Sequence, residues 1–246
     1  AKGKLEISDK LNFYGYQEFK VDKNSIEVSP NDPKLKRKQD LVKFIFDSTW
    51  FENKSVLDLG ANSAFFCFYG LQNGASRADA VEIDKLYVSM VNQAIKELNY
   101  DNFEMHDKNI MDYTKKADVV FAFALIHWIY SCTSDYGSLT QAVSKLADLT
   151  NDVLIIEWVD PEDDAIKFFN HIDFNKNIIN EPYDLEHFEK ALTNSFETWE
   201  LLGDVKSTRK VYACYKTNMT KKDLKNSIKK EINLYDDPNR YAAKGK

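Results

Sequence analysis

The stretch SVLDLGANSAFF, Ser55 to Phe66, decides how the rest of the chain is read. An apolar run of strand type reaches an acid, Asp58, and then Gly60, where a chain leaving a strand must turn sharply. A glycine there also lets bare backbone approach a ligand. Asn62 and Ala64 then stand where a dinucleotide-binding loop has its further glycines, so no GxGxxG is present.

Outward from this loop, apolar runs alternate with amphipathic ones. RADAVEID, FEMHD, ADVVFAFALI and DVLIIEWV read as strands, and AFFCFYGLQNG, LYVSMVNQAIKELN and LTQAVSKLADLT as helices between them. Strands this apolar are buried on both faces, which is the mark of a parallel sheet covered by helices. The βαβα rhythm predicts an α/β fold with a doubly wound, Rossmann-like sheet. After the helical PYDLEHFEKALTNSF, the runs TWELLGDV and RKVYACYK flank KST at hairpin spacing, so the seven-stranded sheet should end on an antiparallel hairpin. Ahead of the loop, KLKRKQDLVKFIFDSTWF sets Leu41, Phe44, Ile45 and Trp50 at near-helical intervals. Three regions follow: residues 1–33 as an N-terminal helical lid closing on the turn SPNDP, 34–217 as the ligand-binding domain, and 218–246 as a lysine-rich tail or linker toward a partner domain.

A chain of 246 residues accommodates one sizeable domain, and 16 Phe and 13 Tyr supply large core pieces. The net charge of −6 provides no global positive field for nucleic acid. Cys67, Cys132 and Cys214 are far apart and form no CxxC, which argues against zinc or a disulfide framework and for reduced thiols in a cytoplasmic protein. No apolar run reaches membrane-spanning length.

The acids indicate what the loop holds. S-adenosylmethionine has no phosphate to cradle, carries a positive sulfonium, and ends in an ammonium that calls for a carboxylate. Asp58 offers that carboxylate, while Gly60, Ala61 and Asn62 offer backbone to the methionine end. About twenty residues on, AVEID ends in Asp84, placed for the ribose hydroxyls, with Glu82 the less favoured alternative. Asp107, closing FEMHD, falls where an adenine amino group would lie. Three acids at three successive strand ends converge on one edge of the sheet.

In VLDLGANSAFF, AVEID, HDKNIMDY and ADVVFAFALIHW, in that order and followed by the hairpin, the chain resembles the class I S-adenosylmethionine-dependent methyltransferases from about Lys34 to Lys216. The resemblance implies S-adenosylmethionine as cofactor and S-adenosylhomocysteine as product. A narrower resemblance, in YQ, KRKQDLVKFI, FALIHWI, KLADLTNDVLIIE and ELLGDV, is to the methyltransferase half of the kinase/methyltransferases that terminate bacterial O-antigen chains. It implies a sugar-linked phosphate as acceptor, a lid in which Tyr16 and Arg37 reach the cofactor's carboxylate, and a kinase following in the same chain.

Methyl transfer from a sulfonium needs alignment above all, and a base only where the acceptor must lose a proton. His127 and Trp128 close the fourth strand beside the place where the methyl should emerge. His127 could take a hydroxyl proton or, protonated, hold an anionic acceptor. Trp128 and Tyr130 could wall the pocket. Glu157, ending the fifth strand, could orient His127 or bind the acceptor, whereas Asp160, Glu162, Asp163 and Asp164 read as a solvated helix start. The residues thus point to a compact or glycan-linked oxygen acceptor. RNA is the alternative if KLKRK and KKDLKNSIKK line one groove, and a non-catalytic scaffold is the third reading.

Overall fold

The structure, a computed structural model, describes residues 2–132, 138–172 and 181–229. Four short strands open the chain: β1 (Lys4–Ile7), β2 (Leu11–Tyr14), β3 (Phe19–Val21) and β4 (Ile26–Val28). They pair in sequence order, each antiparallel to the next. Alternation turns Leu11, Phe13, Phe19 and Val21 inward, where Phe13 stacks on Phe19 at 4.7 Å. The segment 1–33, expected as a helical lid, therefore carries a small sheet. Strands of three or four residues are too short to show a period in the sequence.

Asp32 caps α1 (Pro33–Phe46) by accepting a hydrogen bond from the Leu35 amide, and Pro33 at the first helical position loses no bond there. The central unit then runs β5 (Ser55–Leu59), α2 (Phe65–Gln72), β6 (Arg77–Glu82), α3 (Lys85–Glu97), β7 (Phe103–Asp107), β8 (Ala117–Ala122), α4 (Ile126–Cys132), α5 (Leu139–Asp148) and β9 (Thr150–Val159). It continues with α6 (Asp164–Phe169), α7 (Leu185–Ser195), the hairpin β10 (Thr198–Lys206) and β11 (Arg209–Tyr215), and α8 (Lys221–Asn226).

Seven of these strands form one sheet in the order β10-β11-β9-β8-β5-β6-β7. β5 pairs in parallel with both β6 and β8, so the strand order reverses between β5 and β8 and opens a crevice at their carboxyl ends. β11 runs antiparallel to both β9 and β10, as the hairpin spacing predicts. One apolar cluster joins the sheet to α1, α2, α3 and the N-terminal sheet, with Phe19 meeting Phe65 edge-on at 5.2 Å. The other covers the opposite face with α4, α5 and α7 around Trp158 and Phe188.

Residues 218–229, expected as tail or linker, pack back onto the domain. Leu224 is buried, Lys221 lies over the Phe44 ring, and the Lys229 ammonium donates to the Asn73 carbonyl at 2.8 Å. Residues 230–246 lie outside the described residues. Cys67 and Cys214 are buried free thiols, and the Cys132 side chain is outside the described set. No described helix is long and apolar enough to cross a membrane.

Candidate functional site

The loop that follows β5 turns through left-handed backbone with only the first glycine of a glycine-rich motif. Gly60, Asn62 and Ala64 have φ of 64°, 54° and 59°, so three left-handed residues alternate within five positions. Asparagine tolerates that region better than most residues, whereas alanine is strained there by roughly 1 kcal/mol. Backbone bonds from Ala61 to the Val81 carbonyl (3.0 Å) and from Ala64 to the Ala61 carbonyl (2.8 Å) hold the turn against β6. The Gln17 side chain accepts a bond from the Phe65 amide at 3.3 Å, tying the N-terminal sheet to the start of α2.

Asp58 lies beneath this turn, 3% exposed, and its Oδ2 has no hydrogen-bond partner among the described residues. Burial pushes its carboxyl well above the usual range, Glu82 adds to the effect, and Lys38 opposes it. An unpartnered buried carboxyl is costly unless a ligand completes it. Glu82 ends β6 and accepts bonds from the amides of Asn62 (2.7 Å), Ile83 (2.9 Å) and Asp84 (3.1 Å). Asp84 is exposed and caps α3 through the Leu86 amide at 2.9 Å. Asp107 is exposed at the end of β7 and paired with Lys85.

Across the crevice, the structure brings together a second group that the sequence reading largely missed. Arg37 donates through Nε to the Asp204 carbonyl at 2.9 Å. Its neighbour Lys38, 7% exposed, lies with its ammonium 5.1 Å from the Phe123 ring centre and 3.5 Å from Glu157. The signal for Lys38 was its spacing: it falls three residues after Leu35 and three before Leu41, on the buried stripe of α1. Arg209, read only as part of a strand, stands 3.7 Å from Glu157 through its NH1. Glu157 is fully buried, and neither of its oxygens has a hydrogen-bond partner among the described residues. Tyr16, 56% exposed, lines a cleft of about 350 Å³ with Gln17, Lys34, Lys38 and Arg209.

His127, expected to take a hydroxyl proton or to hold an anionic acceptor, has both ring nitrogens engaged. It is buried, with Nε2 3.1 Å from the Ala124 carbonyl and Nδ1 2.7 Å from His171 Nε2. A carbonyl only accepts, so Nε2 carries the proton and Nδ1 receives the bond from His171. Burial, then His171 and Arg209, lower its pKa to about 3, so it is neutral and cannot hold an anion as a cation. Ala124, at φ 50°, supplies the strained turn that presents this carbonyl. Trp128 stacks on His171 at 4.1 Å, and Tyr130 is buried and donates to the Glu181 carbonyl at 2.8 Å. Ligand atoms of Asp79, Glu104 and His106 lie within 4.8 Å of one another, yet Arg77 grips Asp79 at 2.9 and 2.8 Å and Glu104 at 2.7 Å. That cluster is an ion-pair network in which a guanidinium takes the place of a metal.

No family model matches the chain, and no curated protein sequence matches it. Solved structures do. The bifunctional kinase-methyltransferase WbdD matches with a TM-score of 0.58 and 18% identity, over 75% of this chain and 40% of that one. The magnesium protoporphyrin IX methyltransferase ChlM from Synechocystis PCC 6803, solved with bound SAM, gives 0.52 and 14% over 75% and 79% of the two chains. The N-methyltransferase NodS from Bradyrhizobium japonicum WM9 gives 0.53 and 11% over 76% and 96%. The fold is therefore that of the class I S-adenosylmethionine-dependent methyltransferases. This chain spans less than half the length of WbdD.

Proposed function

We propose that the protein is an S-adenosylmethionine-dependent methyltransferase that methylates an oxygen of a compact anionic acceptor. The observation that carries the reading is the arrangement of charge around the crevice. Asp58 and Glu82 lie on the β5 and β6 side, while Lys38 and Arg209 reach in beside Glu157 across it.

The cofactor fits the first group. Its ammonium would complete Asp58, whose Oδ2 otherwise has no partner. Two carboxylates at this edge suit a ligand that carries a sulfonium and oppose a pyrophosphate. Glu82, whose carboxylate three amides fix at the strand end beside the loop, is assigned to the ribose hydroxyls in preference to Asp84, which is exposed and turned to the start of α3. When bound, the cofactor supplies the methyl group and the leaving sulfur. The chain's own part is to hold the two reactants in line, which is worth about 7–11 kcal/mol at most.

The acceptor fits the second group. Lys38 and Arg209, already partly offset by Glu157, would donate to a phosphate or carboxylate, and an acceptor already ionised needs no general base. That agrees with a neutral His127 whose two nitrogens are both engaged. A phosphate linked to a glycan, the narrower expectation from sequence, belongs to this class.

The first test is calorimetric titration with S-adenosylmethionine and S-adenosylhomocysteine. Micromolar affinity that is lost in Asp58→Ala is expected. No heat with either ligand would sink the reading.

A further inference from the structure

Of the four acids after β9 that read as a solvated helix start, one is not solvated. Asp163 is 1% exposed and caps α6 through the Ala165 amide at 3.0 Å. The same carboxylate grips Arg209 with two bonds, Oδ2 to Nε at 3.0 Å and Oδ1 to NH2 at 3.1 Å. It also accepts from the Thr208 hydroxyl at 2.6 Å and pairs with Lys206 at 3.3 Å. A bidentate carboxylate fixes the plane of a guanidinium, because the fork allows one orientation. Here that plane leaves NH1, the nitrogen not bound to Asp163, on the side of Glu157.

We infer that Asp163 is a positioning residue, which presets Arg209 so that its NH1, held 3.7 Å from Glu157, is turned toward an oxyanion in the cleft beside Lys38. The inference rests on the anionic-acceptor reading above. Without Asp163, a guanidinium next to Glu157 would swing onto that carboxylate and its free donors would leave the cleft. Asp163 also offsets one positive charge, so its removal would raise the local positive charge; weaker anion binding in its absence would therefore be a geometric effect, opposite in sign to the electrostatic one.

The experiment uses the full chain saturated with S-adenosylhomocysteine and inorganic phosphate as the probe. Phosphate affinity is followed by NMR titration, together with the side-chain Nε–H resonance of Arg209. Wild type is expected to bind phosphate and to show a protected Arg209 Nε–H. Asp163→Asn should weaken phosphate binding about tenfold or more and lose that protection, with S-adenosylhomocysteine affinity unchanged, and Asp163→Glu should restore part of both. Thr208→Val, which removes a single bond to Asp163, provides a milder variant and should shift both readouts in the same direction.

A fall in melting temperature with phosphate affinity unchanged would overturn the positioning role and leave the anionic reading intact. Phosphate binding absent from wild type would overturn the anionic reading, and this inference with it.

Discussion

Ala64 adopts a left-handed backbone with its methyl fully buried, in a loop whose shape glycine would allow without strain. In the sequence, Asn62 and Ala64 read as the loss of a glycine-rich motif. The structure keeps the turn and stores strain in it instead. Gly60 has less latitude, because at φ 64° an added Cβ would lie 3.1 Å from Leu125 Cδ1, which would have to give way. Gly60→Ala should cost about 1 kcal/mol of stability by chemical denaturation and weaken S-adenosylhomocysteine measurably.

The two acids of AVEID separate at this scale too. Glu82→Ala should reduce S-adenosylhomocysteine affinity by about tenfold or more, as for loss of a charged hydrogen bond. Asp84→Ala should cost about 1 kcal/mol of stability, the usual worth of a helix cap, and leave affinity alone. Equal losses of affinity would sink that assignment, and a loss confined to Asp84→Ala would return the ribose to Asp84. Alternation and spacing located the strand end to within two residues. Which acid faces the loop depends on where the strand stops and α3 begins, and that boundary is set by the cap itself. Arg37 and Lys38 differ for a similar reason: one step along a helix turns a side chain by about 100°.

At the scale of elements, the pairing of α4 with the segment after α6 has a pH consequence. His127 has its folded pKa lowered to about 3, and the His171 ring is also lowered by burial. As pH falls below about 6.5, the unfolded chain takes up protons that the folded chain refuses, so stability is lost on acidification. Between pH 7 and 5.5, His127 alone should remove about 1 kcal/mol, and in the His127→Gln variant the slope of urea midpoint against pH should flatten. An unchanged slope would mean that His127 protonates without opening its bond to His171. The helix-sheet alternation that carries this contact was plain in the sequence. The contact was not, since His127 and His171 are 44 residues apart and no local pattern links them. The N-terminal sheet was hidden for another reason. Its inward residues, Phe13 and Phe19, sit on strands of four and three residues and gain their burial from α2, a distant element.

Over the whole molecule, the distribution of charge decides between a compact acceptor and RNA. The run KLKRK looked like one basic stripe, but folding sends its members in different directions. Lys34 lines the cleft, Lys36 pairs with Asp40 at 3.0 Å, Arg37 binds the Asp204 carbonyl, and Lys38 is buried beside Glu157. Of the second run, Lys221 lies over Phe44 and Lys229 bonds to the Asn73 carbonyl. Nucleic-acid affinity grows with the number of phosphates neutralised together, and a net charge of −6 opposes their approach. Binding of a short single-stranded RNA, followed by fluorescence anisotropy at physiological salt, should therefore be no tighter than the nonspecific range of about 10⁻⁴ to 10⁻⁶ M. Lys38→Met should not alter it, since that ammonium is not on the surface. Submicromolar binding with a steep salt dependence would instead show that the dispersed lysines act together, and the acceptor would then be sought among RNA ends.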